Sequence, residues 1–122
     1  MSRLATLLVL FVALQHVGFL VLEMFLWTQP VGLEIFKQTL EAAQASQVLA
    51  ANQGLYNGFL AAGLFWGVSR RADGVAIQRF FLGCVLVAGL YGGATAGASI
   101  LAIQAAPAAL ALLVSWRAHR PA

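Results

Sequence analysis

Two side chains in the first apolar run of this sequence could carry acid–base chemistry. His16 and Glu23 both lie within residues 4–27 and are seven residues apart. Seven residues are nearly two helical turns, so the two side chains fall on one face of a helix. An imidazole and a carboxyl group can exchange protons with a substrate or with each other. Together with the phenol of Tyr91, they are the candidate catalytic residues.

Further polar side chains interrupt the apolar runs of the chain. Polar groups are costly in hydrocarbon, so each needs a partner or a function. Some are spaced four apart, as Gln53 and Asn57 are, and therefore share a helix face. We predict that the set lines one ligand-binding pocket. The alternative is that these groups hydrogen-bond between helices and only fix helix register. The full set is Gln15, His16, Glu23, Asn52, Gln53, Tyr56, Asn57, Tyr91, Thr95 and Gln104.

The composition excludes a soluble enzyme and a disordered chain. Of the 122 residues, 61% are hydrophobic and 9% are charged, with a mean hydropathy of +0.87. Soluble domains are roughly 45–50% apolar and about 25% charged. The net charge of +3 does not indicate nucleic acid, because the basic residues flank apolar runs, which is typical of membrane anchoring.

Few residues could hold a metal or a cofactor. Cys84 is the only cysteine, so the chain can form neither an internal disulfide nor a cysteine zinc cluster. One intramembrane histidine and one intramembrane carboxylate do not predict a zinc site. Haem bound through His16 is the one cofactor alternative that the residues leave open.

Four segments have the length and apolar character of membrane spans, which need about 20 residues each. We therefore predict an all-α, four-helix transmembrane bundle forming a single domain over residues 1–122. Spans three and four form one long apolar tract, and Gly97, Ala98 and Ser99 predict a tight break within it. Pro107 predicts a kink in span four. The four spans are residues 4–27, 48–68, 78–97 and 100–116.

The connection between the first two spans has its own pattern. The Gln-Pro step at residues 29–30 disfavours helix, so span one should end near Trp27, a residue type that favours the membrane interface. Leu33, Phe36 and Leu40 recur at helical spacing. They predict a short amphipathic helix on the outer surface, within residues 33–47.

The basic residues predict the orientation. With four spans, the two termini and the second connection lie on one side, which holds six basic residues, whereas Lys37 alone lies opposite. The positive-inside rule then places both termini in the cytoplasm. It also places most of the polar set in the outer half of the bilayer. The six basic residues are Arg3, Arg70, Arg71, Arg79, Arg117 and Arg120.

Glycines four residues apart mark faces where helices can approach closely. They occur in spans two and three, and they predict close helix packing and a homo-oligomer formed through these faces. The glycines are Gly54 and Gly58, Gly63 and Gly67, and the series Gly89, Gly93 and Gly97.

Four segments resemble a known family: LQH at 14–16, LEMFLW at 22–27, NQGLYNGFLAAGL at 52–64 and VAGLYG at 87–92. The resemblance is to an uncharacterised family of small predicted membrane proteins, domain of unknown function 1304. It covers nearly the whole chain, and the NQGLYNG stretch is specific. It implies a four-span protein of the bacterial inner membrane and implies no particular activity.

Three functions fit these observations. The first, which we favour, is binding or transport of a small amphipathic molecule, proton-coupled through Glu23. The second is an enzyme of the isomerase, cyclase or epoxide-opening type, with His16 and Glu23 as acid and base and with Tyr56, Asn57 and Tyr91 holding a substrate oxygen. The third is a structural assembly partner. Binding is preferred because no group of residues has a spacing that requires catalysis.

Overall fold

The protein is described by a computed structural model covering residues 2–118, so Arg120 lies outside the described residues. Every regular element in this part of the chain is helical, which confirms the all-α fold class. The elements are α1 (Arg3–Met24), α2 (Pro30–Phe36), α3 (Leu40–Ala45), α4 (Gln47–Ser69), α5 (Gly74–Thr95), α6 (Ala98–Ile100), a π-helical turn (Leu101–Ala105) and α7 (Ala106–Ala118).

Within residues 2–118, three helical stretches are long and apolar enough to cross a membrane. They are Arg3–Met24, Gly74–Thr95 and Ala98–Arg117. Helix α4 has 23 residues, but the amides of Asn52, Gln53 and Asn57 lower its hydropathy. Three apolar helices of this length indicate a membrane protein.

The first span ends three residues earlier than the sequence predicts. Helix α1 stops at Met24 rather than near Trp27. Gln29 is extended, with φ −83° and ψ 158°, as its position before a proline requires. Pro30 then opens α2, where its missing amide hydrogen costs nothing.

The segment between α1 and α4 contains two short helices rather than one. Lys37 ends α2 in a left-handed conformation, with φ 51°. Thr39 is extended and caps α3, because its hydroxyl accepts a hydrogen bond from the amide of Ala42 at 3.1 Å. The helix is therefore interrupted between α2 and α3, although the apolar residues keep their helical spacing across residues 33–40. The spacing alone does not reveal the interruption.

The predicted break in the long apolar tract is confirmed. Helix α5 ends at Thr95, Gly97 is extended, and α6 begins at Ala98. The irregularity predicted for Pro107 appears just before it, as the π-helical turn. There the amide of Ala106 bonds to the carbonyl of Leu101, five residues back. Proline has no amide hydrogen to continue a regular helix, and single π turns are a common accommodation.

The described chain divides into two compact units. One consists of residues 14–61, and the other of residues 2–13 with residues 62–118. The second unit has a core of small and branched side chains, including Val9, Leu64, Leu82, Val85 and Ala108. Small residues suit helices that pack inside a bilayer, where close van der Waals contact replaces the hydrophobic effect as the driving force.

Helix α5 packs antiparallel against the stretch formed by α6, the π turn and α7. Gly89 faces Ala105, and a Cβ atom at Gly89 would lie 2.7 Å from the Ala105 backbone nitrogen. Four residues on, a Cβ at Gly93 would meet the Leu101 side chain. These glycines bring the two backbones together, so the glycine face of α5 is occupied within the chain.

We expect Gly89→Ala to lower the free energy of unfolding by about 1–3 kcal/mol, because its methyl group overlaps the Ala105 backbone, which cannot give way as a side chain can. Equilibrium unfolding in mixed micelles measures the change. Gly83→Ala is the matched control, since nothing lies within 4 Å of a Cβ there. It should cost nothing and should gain up to about 1 kcal/mol from helix propensity. Equal destabilisation by both variants would contradict the packing.

Candidate functional site

The candidate site lies in the unit of residues 14–61, where α1 and α4 meet. A Cβ at Gly54 would lie 2.7 Å from Met24 Cγ, 3.0 Å from Glu23 Cβ and 3.2 Å from the Leu20 carbonyl oxygen. A Cβ at Gly58 would lie 2.6 Å from Leu20 Cδ1. The two glycines therefore let the α4 backbone pass directly beside the last turn of α1.

This close approach joins Glu23 to Asn57. The Asn57 Nδ2 group donates a hydrogen bond of 2.7 Å to Glu23 Oε1. Both side chains are half-buried, and they are 34 positions apart in the chain. The bond uses one of the two carboxylate oxygens. It holds the carboxyl group of α1 against α4, at a contact between two helices that are otherwise mostly apolar.

His16 lies on the same side of α1 but at another depth. It is fully buried, and its ring meets Phe19 edge to face at a centroid distance of 5.1 Å. Seven residues of helix separate it from Glu23 by about 10 Å along the axis. That separation does not allow a direct hydrogen bond, so the partner of Glu23 is an amide rather than the imidazole. Because His16 is fully buried, a haem iron could not reach it without rearrangement of the helices.

The other polar residues of α4 point elsewhere. Asn52, Gln53 and Tyr56 are exposed, and the Asn52 Nδ2 group bonds to the Val48 carbonyl of its own helix at 2.9 Å. Only Asn57 lies on the buried stripe of α4, which runs through Gly54. Gln53 and Asn57, which their spacing of four predicts to share a helix face, therefore differ in their surroundings. Asn57 faces α1, whereas Gln53 is exposed.

The remaining members of the predicted set are distributed between the units. Gln15 belongs to residues 14–61 and is half-buried. Tyr91, Thr95 and Gln104 belong to the other unit, where Tyr91 is 71% exposed and the Thr95 hydroxyl donates to the Tyr91 carbonyl at 2.7 Å. A pocket shared by all ten residues stays a prediction. Within this set, Glu23 and Asn57 are joined by a direct side-chain hydrogen bond.

A cluster that sequence reasoning missed is built around Trp27, in the turn that follows α1. The Trp27 indole N–H donates to Ser46 Oγ at 3.1 Å, and its ring lies 4.7 Å from Phe36. Ser46 Oγ also donates to the Ala42 carbonyl at 2.9 Å. Trp27 is therefore half-buried in a contact with the α2–α3 segment, although the sequence predicts only an interfacial anchor. Its partner is 19 residues away, beyond the range of any helical spacing.

Metal binding finds no support in the arrangement of side chains. Across residues 2–118, no group of three or more histidine, cysteine, aspartate or glutamate side chains could hold a metal ion. The side chains that the structure joins at the site are a carboxyl group and an amide on otherwise apolar helices.

Comparison with known proteins places the chain in a family. A family model described as "Protein of unknown function (DUF1304)" matches residues 10–116. The chain belongs to this family. The resemblance stated from its motifs is thus confirmed. The chain is also 31% identical over 118 residues to "Uncharacterized protein YpaA" of Lactococcus lactis subsp. lactis strain IL1403. The match covers 95% of this chain and 99% of that protein. No solved structure matches the chain.

A double-mutant cycle should detect the Glu23–Asn57 bond directly. Glu23→Ala and Asn57→Ala are expected to show a coupling energy of about 0.5–1.5 kcal/mol in unfolding, the usual net value of one hydrogen bond. As a control, Glu23→Ala with Asn52→Ala should be additive to about 0.3 kcal/mol, because Asn52 bonds within its own helix. Additivity in the first cycle would mean that the bond contributes nothing.

Proposed function

We propose that this protein is a four-span inner-membrane protein that binds and transports a small amphipathic molecule, with Glu23 and Asn57 as the recognition pair. The observation that carries the proposal is the 2.7 Å bond between these side chains, part-buried between α1 and α4. Ionisable groups within membrane spans are costly and mark sites of function. A carboxylate beside an amide offers charge and hydrogen bonding, and the surrounding helices offer apolar surface.

The chemistry of the pair favours an organic cation with an apolar body. Glu23 is the last residue but one of α1, and the carbonyl end of a helix carries partial negative charge. The carboxyl group and the helix end therefore both attract positive charge. In this proposal Asn57 orients Glu23 Oε1, and Glu23 couples release of the cation to uptake of a proton.

The geometry supports binding more than catalysis. The enzyme alternative needs His16 and Glu23 to work together on one substrate bond. They are about 10 Å apart along α1, and His16 is fully buried. The Glu23–Asn57 pair needs no third group to bind a ligand.

Four spans require that α4 also crosses the bilayer. Its 23 residues give about 34 Å of helix, enough for a hydrocarbon core of about 30 Å. Its deepest strongly polar side chain, Asn57, is hydrogen-bonded to Glu23, which lowers the cost of placing it in lipid. With α4 as a span, the distribution of basic residues places both termini in the cytoplasm.

A homo-oligomer would use a different surface from the one that the glycines suggest. Gly54 and Gly58 contact α1, Gly63 contacts Phe81, and Gly89 contacts Ala105. The face of α4 that carries Asn52, Gln53 and Tyr56 is exposed and fits such a contact better. Amide side chains both donate and accept, so two identical faces can pair.

Cysteine labelling tests the topology. In a Cys84→Ala background, which removes the only cysteine, Gln44→Cys should react with a membrane-impermeant maleimide in intact cells. Ala72→Cys should react only after the membrane is opened, because it lies on the cytoplasmic side if α4 spans. Both residues are exposed in the structure. Equal labelling of both in intact cells would place them on one side and exclude α4 as a span.

Binding of tetraphenylphosphonium tests the site itself. We expect Glu23→Gln to weaken binding about tenfold, the effect of losing ~1.4 kcal/mol of charge attraction, as measured by equilibrium dialysis in detergent. The same variant should abolish uptake driven by a proton gradient in proteoliposomes. Glu41→Gln is the matched control, since this exposed carboxylate lies on α3. The neutral triphenylphosphine oxide should bind wild type and Glu23→Gln alike. Unchanged cation affinity in Glu23→Gln would refute the assignment.

A further inference from the structure

A second polar cluster, in the unit of residues 2–13 and 62–118, is built around Arg79. Its Nε group donates to Ser115 Oγ at 3.0 Å, and a terminal guanidinium nitrogen donates to the Ser115 carbonyl at 3.0 Å. The guanidinium carbon also lies 3.8 Å from the centroid of the Trp116 ring. Ser115 is fully buried. The arginine is therefore held in one orientation between α5 and the last turns of α7.

The charge of this arginine is not neutralised by a carboxylate within the described residues. Asp73 forms a bidentate ion pair with Arg70, at 2.8 and 3.1 Å. That guanidinium lowers the pKa of the Asp73 carboxyl group through its hydrogen bonds. Glu23 is bonded to Asn57. What Arg79 contacts instead is a serine, a helix carbonyl and an aromatic ring.

The guanidinium keeps donors for an anion. It carries five N–H donors in a planar fork, and the two bonds to Ser115 use two of them. The fork matches the spacing of phosphate oxygens. The Trp116 ring and the carbonyl end of α7 stabilise the positive charge without replacing an anionic partner.

A shallow, open apolar groove on the surface of α5 begins at Arg79. It has a volume of about 620 Å³ and follows one face of α5, lined by Arg79, Phe80, Gly83, Cys84, Val87 and Ala88. From Arg79 to Ala88 the helix rises by about 14 Å, which is the length of the groove. The space above Gly83 is open, since a Cβ atom at this position would have no other atom within 4 Å. Gly83 therefore forms the floor of the groove. One charged end and an apolar length of this size match a phosphate group joined to an acyl chain.

We propose that this groove binds one phospholipid with an anionic headgroup, with the phosphate on Arg79 and part of an acyl chain along Gly83 and Val87. Charge complementarity decides the occupant. A protein segment of either charge could fill an apolar groove, but in a membrane the groove opens to lipid, and Arg79 selects the anionic ones. The site is separate from Glu23 and does not depend on transport.

Native mass spectrometry of the purified protein with added phosphatidylglycerol or phosphatidylcholine tests the proposal. Wild type should retain about fivefold more phosphatidylglycerol, as expected for the ~1 kcal/mol that one interfacial arginine contributes. Arg79→Gln should bind the two lipids equally. Arg71→Gln removes the same charge from an exposed position and should keep the preference. Inorganic phosphate at equal concentration should give no adduct, since it lacks the chain.

A second pair of variants separates binding from folding, because Arg79→Gln also loses the bonds to Ser115. Gly83→Leu places a side chain in the groove at a position where an added Cβ meets nothing within 4 Å. It should reduce retention of phosphatidylglycerol about fourfold, the effect of losing the burial of roughly one methylene group. Gly18→Leu adds the same side chain at another open position, on α1, and should have no effect. Equal retention of the two lipids by wild type, a phosphatidylglycerol preference that survives in Arg79→Gln, or undiminished retention of phosphatidylglycerol by Gly83→Leu would each overturn the proposal.

Discussion

The contact of helix backbones at residues without side chains is the constraint on which the rest of this structure depends. In a bilayer, lipid is as apolar as a leucine side chain, so helices associate through close packing and a few polar bonds. Gly54 and Gly58 bring α4 against α1, and Gly89 brings α5 against Ala105. Each contact then determines which longer side chains can reach across. Asn57 reaches Glu23 one turn from Gly54, and Arg79 reaches Ser115 at the far end of the α5–α7 pair.

The polar bonds that result lie near the ends of the long helices. Glu23 is in the last turn of α1, Arg79 is in the second turn of α5, and Ser115 is near the end of α7. At these positions the polar group costs less than at the centre of a span, and helix ends supply partial charges. The partial charge is negative at the carbonyl ends of both α1 and α7. It stabilises the cation Arg79 beside α7, and it adds to the negative charge of an ionised Glu23, which supports the proposal of a cationic ligand there.

Much of the fold follows from the sequence, because apolar length and backbone chemistry act locally. The helices, the break before Ala98 and the irregular turn before Pro107 are all predictable. The split of the outer segment is not, since it depends on Lys37 adopting a left-handed conformation. At the site, the spacing of polar residues identifies Glu23 and Asn57 as candidates. It cannot identify their pairing, which depends on contacts between helices.

Bonds between distant residues explain what sequence reasoning misses elsewhere. From the sequence, Arg79 is used only to predict membrane orientation. In the structure it donates a hydrogen bond to Ser115, which is 36 residues away. The position of Trp27 indicates the interface, yet its indole donates to Ser46. Serine at either position gives no sequence signal, because a hydroxyl becomes informative only when a donor faces it. Both serines accept from a nitrogen donor while aromatic contacts hold that donor in place.

Helix α4 shows how the arrangement of polar groups, rather than their number, decides whether a helix suits a bilayer. In the proposed four-span arrangement, Asn52 and Gln53 lie within about 9 Å of its first residue, close to a membrane surface where amides find water and headgroups. Tyr56 and Asn57 lie deeper. Asn57 lies deepest of the four, and it is the one whose side chain bonds to another helix. The mean hydropathy of the helix gives all of these positions equal weight. Their different surroundings support the proposal that α4 is the second span despite its composition. The Glu23–Asn57 bond between α1 and α4 lies where a ligand is proposed to bind.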